Sequence, residues 1–287
     1  MNETHGLVTD TIPFSNVDGP GNRFTVFLQG CNFNCVACHN PYTIGVCDDC
    51  GACVEGCPTG ALVIGSDGVD WNQDACDGGD QCTSVCPIDA TPKAKRRSVR
   101  SLLIDIERAA PFLSGVTVSG GEATQQADFV DALFTAIKSS TNPRVARLSC
   151  MVDTNGAVDT SVWNRLSGVM DAGMVDLKCF DDGIHQQMTG SSNNRTLESI
   201  EHLAHLGLLY EVRLLLVAGI NDEPNLLGRT GTWLAEVDPS MRIKLMAYRS
   251  HGVRPADPPL VEPGRDLIDR ASGALTGASA DFDITLV

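Results

Sequence analysis

Short apolar runs recur along this chain at residues 23–29, 115–119, 146–152, 173–178, 210–217 and 242–247, each rich in Val, Leu or Ile. Runs of that length with little polar alternation predict strands covered on both faces, as in a parallel sheet. Between them, residues 98–112, 125–139, 161–169, 196–206, 223–237 and 263–275 carry apolar positions three or four apart, which predicts amphipathic helices. A last apolar run, 282–287, predicts a closing strand. The alternation points to an α/β fold, a partial (β/α)6 TIM-like barrel.

The pattern stops between Gly45 and about Thr91, where Cys, Gly and Asp replace it. Residues 46–91 are therefore expected to form an insert, with 1–45 and 92–287 making the barrel. The basic run 93–97 that follows is expected to be a solvated linker or a helix start.

With 287 residues the chain can bury a sizeable core and needs no disulfide scaffold. Residues 1–10 lack the basic flank and apolar run of a secretory signal, and no stretch has the length of a membrane span, so a cytoplasmic protein without membrane contact is expected. A formal charge of -15 disfavours binding to nucleic acid, whose phosphates attract Lys and Arg.

Twelve cysteines change the picture most. In a reducing compartment such a number signals metal ligation rather than disulfides. Cys150 and Cys179 lie at the ends of apolar runs and read as inert buried thiols. The other ten fall between Cys31 and Cys86.

Cys31, Cys35 and Cys38 form C-x3-C-x2-C directly after the first predicted strand, and in parallel βα folds such loops surround the active site. Three thiolates can hold three irons of a 4Fe-4S cube and leave the fourth iron open, as chemistry at a metal requires. Zinc with His39 as fourth ligand is the alternative, although neighbouring residues reach one tetrahedral ion only with backbone strain.

In the insert, Cys47, Cys50, Cys53 and Cys57 before Pro58 give C-x2-C-x2-C-x3-C-P, the bacterial ferredoxin spacing. A second half, Cys76, Cys82 and Cys86 before Pro87, has Gly79 where a fourth cysteine would match Cys50. Crossed ligation, carried over from ferredoxins, gives Cys47, Cys50, Cys53 and Cys86 a complete 4Fe-4S cluster. Cys57, Cys76 and Cys82 are then left with a 3Fe-4S centre, or a 4Fe-4S centre completed by Asp77, Asp80 or solvent. An electron relay is the expected role of such an insert; docking or structure is the alternative.

The stretch 17–41, VDGPGNRFTVFLQGCNFNCVACHNP, resembles the opening of the radical S-adenosylmethionine (SAM) enzymes that activate glycyl radical enzymes. One departure is Ala37, where the superfamily often carries an aromatic residue. Three further motifs continue the resemblance: SGGE at 119–122, DTNG at 153–156 and DLK at 176–178. What the resemblance implies is a site in which Gly120, Gly121 and Glu122 receive the methionine amino group of SAM. Asp153, Thr154, Met174 and Asp176 would line a monovalent-cation site, Lys178 would touch the cofactor, and Arg213 would pair with its carboxylate. In relatives a histidine follows the sixth strand; here Arg249 stands at that position and His251 two residues later, so His251 is the candidate near the adenosine.

The implied activity is reductive cleavage of SAM to a 5'-deoxyadenosyl radical that takes hydrogen from a backbone glycine of a partner enzyme. The implied partners are a glycyl radical enzyme and a flavodoxin- or ferredoxin-type reductant. A radical enzyme acting on a small molecule, and an electron-transfer protein without substrate, are the alternatives. The second leaves the three-cysteine loop, GGE and DLK unexplained.

Overall fold

A computed structural model describes residues 3–287. The chain opens with β1 (His5–Ser15) and β2 (Arg23–Leu28), which pair antiparallel. The insert follows, with the hairpin β3 (Leu62–Ile64) and β4 (Val69–Trp71) and the single turn α1 (Gln81–Ser84). Then come β5 (Lys95–Ser98), α2 (Val99–Ala109), β6 (Gly115–Gly120), α3 (Ala127–Lys138), α4 (Pro143–Ala146), β7 (Ser149–Thr154) and α5 (Thr160–Leu166). The chain continues through β8 (Ala172–Leu177), α6 (Asp182–Thr189), α7 (Asn194–His205), β9 (Leu209–Leu216), α8 (Pro224–Val237), β10 (Arg242–Ala247), α9 (Arg265–Thr276) and β11 (Asp283–Leu286).

The main sheet runs β11-β10-β9-β8-β7-β6-β2-β1-β5. From β2 to β11 every neighbouring pair is parallel, so the six anticipated strands stand side by side in chain order and the seventh closes one edge. The other edge stays open at β5, which makes the barrel partial. Val26, Leu28, Val116, Val118, Val152, Val175 and Val212 are fully buried beneath helices that bring Leu102, Leu133, Phe134, Trp163 and Leu203 to the same core. The helices start where local chemistry permits: Ser98 accepts from Ser101 N, and Asp181 accepts from Ile184 N.

Four differences from the sequence pattern have physical causes. The run 146–152 is divided: Asn142 caps the turn α4, with Pro143 in its first turn, and the strand begins only at Ser149. The basic run is neither linker nor helix start. Lys95–Ser98 forms the edge strand β5 against β1, where Lys and Arg discourage pairing with another chain. The strand β1 itself was not anticipated, because Thr9, Asp10 and Thr11 interrupt its apolar residues and it contains Pro13. Helix α6 also escaped detection, being eight residues long with only His185, Met188 and Thr189 buried.

The insert has its own two-stranded sheet and its own small apolar cluster, in which Cys53, Leu62 and Cys82 pack with Val54, Val69 and Trp71. Among the described residues, no helix is long and apolar enough to cross a membrane.

Candidate active site

The loop carrying Cys31, Cys35 and Cys38 leaves β2 at Gly30, whose φ of +98° suits glycine. It is held from two sides. Gly30 N and Cys31 N donate to Thr43 O and Ile44 O, both at 2.9 Å. Asn34 N and Val36 N donate to Thr189 O and Met188 O, at 2.8 and 2.9 Å. These last two carbonyls belong to the C-terminal end of α6, where a helix leaves carbonyls unpaired. Phe33, buried against the edge of the His185 ring at 5.4 Å, fixes the same contact.

The three thiols open on a cavity of about 450 Å³ whose opposite wall is the carboxyl ends of the parallel strands. Gly120 and Gly121 belong to that wall. Gly120 has φ +121°, and a Cβ there would lie 2.1 Å from Leu28 N, so the two glycines allow a backbone approach that no other residue could make.

Glu122 is 1% exposed and its carboxylate is met by four donors. Oε1 accepts from Thr124 N, Thr124 Oγ1 and Thr154 Oγ1, and Oε2 accepts from Asn155 N at 2.7 Å. The carboxylate thus ties the GGE turn to the DTNG loop. Asn155, which the sequence did not single out, donates to Asn32 Oδ1 at 2.8 Å and so links that loop to the cysteine loop.

Charge is paired at the strand ends. Arg213 donates to Asp153 Oδ1 at 2.9 Å and to Glu211 Oε1 at 2.6 Å, and its Nη2 lies 3.0 Å from Met174 Sδ. Lys178 Nζ lies 2.6 Å from Asp176 Oδ2. Burial works against the charge on both cations, but for Arg213 the Asp153 carboxylate and for Lys178 the Asp176 carboxylate outweigh it and raise the pKa. Asp176 Oδ1 is buried and has no hydrogen-bond partner. A buried carboxylate oxygen left in this way, on the wall of a cavity, fits a site that a polar ligand completes.

The cysteines fit a cluster. Burial pushes the Cys31 thiol up to about 12 and the Cys35 thiol to about 11, so in the bare protein both are neutral and a metal bound there would have to displace the proton. All twelve cysteines are free of disulfides. Among the described residues no three His, Cys, Asp or Glu side chains converge on one ion position. The thiols ring cavities instead, which suits a multi-iron cluster better than a single zinc ion with His39. Cys150 and Cys179 are buried away from these cavities, as expected of inert thiols.

The insert cysteines line two small cavities. Cys47, Cys50, Cys53, Cys82 and Cys86 line one. Cys57, Cys76 and Cys82 line the other, together with Asp77, Gly79, Gln81 and Lys93. Asp77 stays at this cavity, whereas Asp80 sits at the start of α1 and is absent from its wall. A Cβ added at Gly79 would lie 2.3 Å from Gln81 Oε1, so oxygen stands where the missing ligand would project.

His251, the candidate near the adenosine, is exposed and is not among the residues lining the cavity. Arg249 and His39 line the wall instead, His39 standing edge-on to Tyr248 at 6.5 Å. Sequence spacing had considered His39 only as a zinc ligand.

Comparison with known proteins shows the family. The family model described as the Radical SAM superfamily matches residues 25–226. The trans-4-hydroxy-L-proline dehydratase activating enzyme of Clostridioides difficile is 34% identical over 226 residues, covering 73% of each chain. The pyruvate formate-lyase 1-activating enzyme of Escherichia coli is 31% identical over 242 residues, covering 82% of this chain and 78% of that one. Among solved structures, QueE from Escherichia coli superposes with a TM-score of 0.55 at 14% identity, over 99% of this chain and 94% of that one, a likeness of fold. The chain belongs to the radical SAM superfamily, and within it to the activating enzymes of glycyl radical enzymes.

Proposed function

We propose that this protein installs a glycyl radical in a partner enzyme, using a 4Fe-4S cluster on Cys31, Cys35 and Cys38 and SAM in the cavity they share with Gly120 and Gly121. The observation that carries the site assignment is the unpartnered Asp176 Oδ1 beside the paired Lys178, on the cavity wall facing three free thiols. When bound, the cluster and SAM supply the chemistry: one electron breaks a carbon–sulfur bond of the sulfonium, and the 5'-deoxyadenosyl radical takes a hydrogen atom from a backbone glycine.

The protein's own contribution is placement. The glycine edge lets the polar end of SAM approach the backbone, and Lys178 and Arg213 supply positive charge for its carboxylate. Asp176 Oδ1 supplies an acceptor. Glu122 acts through the two loops it ties, since its oxygens already have four donors. Arg249 and His39 take the part first assigned to His251 on the wall. For a monovalent cation, Asp153 and Thr154 are already committed to Arg213 and Glu122, and the guanidinium already brings positive charge beside Met174. The arrangement therefore supports direct SAM contact by Asp176 better than a cation cage.

Residues 46–91 are assigned as a ferredoxin-like unit that passes electrons from a flavodoxin- or ferredoxin-type donor. One 4Fe-4S cluster would sit on Cys47, Cys50, Cys53 and Cys86, and a 3Fe-4S or oxygen-capped 4Fe-4S centre on Cys57, Cys76 and Cys82. Cys82 lines both cavities, and the support for this pairing comes from the others: Cys57 and Cys76 line one, and Cys47, Cys50, Cys53 and Cys86 the other.

The test is anaerobic incubation of the reconstituted protein with dithionite, SAM and a candidate glycyl radical enzyme. 5'-Deoxyadenosine and a glycine-centred paramagnetic signal are expected, and both disappear when Cys31, Cys35 and Cys38 are replaced by Ala. Failure of the intact protein to form 5'-deoxyadenosine would overturn the assignment.

A further inference from the structure

The insert and the cysteine loop meet through a continuous row of hydrogen-bonded peptide groups. Ala90 N donates to Cys86 Sγ at 3.3 Å. The carbonyl of the same peptide, Asp89 O, accepts from Gly45 N at 2.9 Å. The carbonyl of that next peptide, Ile44 O, accepts from Cys31 N at 2.9 Å. Three hydrogen bonds and two peptide groups thus join the Cys86 thiol in the insert to the backbone N–H of Cys31 in the three-cysteine loop.

Two features hold this row together. Gly45 has no room for a side chain, since a Cβ would lie 2.0 Å from Ile88 O. Arg254 clasps the same junction from the side: it donates to the Asp89 carboxylate, to Asn34 Oδ1 at 2.6 Å and to Cys35 O at 3.0 Å. Asp89, the residue so clasped, adopts φ +52°, a backbone conformation that costs a non-glycine residue energy and persists only where its surroundings impose it. The other insert cavity, lined by Cys57 and Cys76, shares no residue with this junction.

We infer that this row is the electron route from the insert to the radical site, and that Arg254 is the positioning residue that keeps it closed. The inference rests on the relay role proposed above. One electron leaves a reduced flavodoxin- or ferredoxin-type donor, enters the insert, crosses from Cys86 to Cys31, and is consumed in breaking one carbon–sulfur bond of SAM. The donor is left oxidised by one electron, and no proton moves along the row. The Cys57 and Cys76 side is the outer station and the Cys86 side the inner one.

The experiment follows reduction of the radical cluster by a reduced ferredoxin in stopped flow, with the spin–spin coupling between reduced clusters read by paramagnetic resonance. Gly45→Ala forces the two peptides apart, and Arg254→Met releases the clasp; iron content is measured for each. With iron retained, both are expected to slow cluster reduction about tenfold, the scale of losing a charge-assisted contact, and to weaken the coupling. Unchanged rate and coupling in both would overturn the route. A Cys47→Ala, Cys50→Ala pair separates the two ideas: if it slows reduction while Gly45→Ala and Arg254→Met do not, the relay stands and this route fails. If it leaves the rate unchanged, the relay itself fails and the route with it.

Discussion

Arg213 Nη1 stands 2.9 Å from Asp153 Oδ1, an ion pair that crosses β8 to join the middle of β9 to the end of β7 at the wall of the cavity. The two side chains are only 8% and 15% exposed, so the pair is desolvated and its partners depend on each other. Arg213→Met would leave Asp153 and Glu211 buried without their cation. The expected loss is about 3 kcal/mol or more in denaturant unfolding, and SAM binding measured by calorimetry should weaken in parallel. An unfolding midpoint within error of wild type would contradict this.

Gly120→Ala should be among the most damaging single-atom additions in the protein. The new Cβ meets Leu28 N at 2.1 Å and Leu28 O at 2.3 Å while the backbone sits at φ +121°. Strain of this kind costs about 1–3 kcal/mol before any clash is counted. A lowered melting temperature together with loss of SAM binding is expected, whereas Gly190→Ala, at an αL helix end with open space around it, should cost less.

Acid should loosen the seat of the cysteine loop through His185. Burial lowers its pKa below the ordinary histidine value, with the Ser191 carbonyl opposing the shift. Its Nδ1 lies 2.8 Å from Ser191 O, and Nε2 is buried without a partner. A histidine held neutral in this way contributes stability that is full above the unfolded pKa of about 6.5 and is lost as pH falls through the lower folded value. His185→Phe should therefore flatten the decline of the melting temperature below pH 6.5. An equally steep decline in the variant would show that another group carries it.

Gly79→Cys combined with Gln81→Ala should complete the outer ligand set. The second change removes the oxygen that a residue 79 side chain would otherwise meet at 2.3 Å. Iron per chain should rise toward a full four-iron complement at that cavity, and the centre should resist chelators that strip the wild-type protein. The same iron count in both proteins would mean that oxygen already caps the cluster in the wild type, with Asp77, whose Oδ1 accepts from Gly79 N at 2.9 Å, as the nearest candidate.

Much of the fold was legible because a parallel strand covered on both faces must be apolar throughout, and a helix on its surface must be apolar on one side. The strand β2, with Phe24, Val26 and Leu28 buried although Arg23 and Thr25 break the apolar run, and α3, with Phe129, Val130, Leu133, Phe134 and Ile137 inward, carry most of that signature. Edge elements carry less of it. β1 is interrupted by three consecutive polar residues, β5 is basic, and α6 buries three residues, so local pattern could not find them.

The sequence by itself determined the set of candidate ligands, since Cys spacing in a loop after a strand is fixed by covalent geometry and needs no tertiary contact. It also placed Lys178 and Asp176 at a strand end and found Gly79 where a further cysteine would match Cys50. Only the tertiary structure decided which groups remain available, because hydrogen bonds between segments far apart in the chain cannot be read from either one. Glu122 is spent on Thr154 and Asn155, Asp176 Oδ1 is left open, and His251 is turned to solvent while Arg249 faces the cavity. The same reason hid the junction at Gly45: its peptide joins Asp89 to Cys31, and neither neighbour lies close to it in the chain.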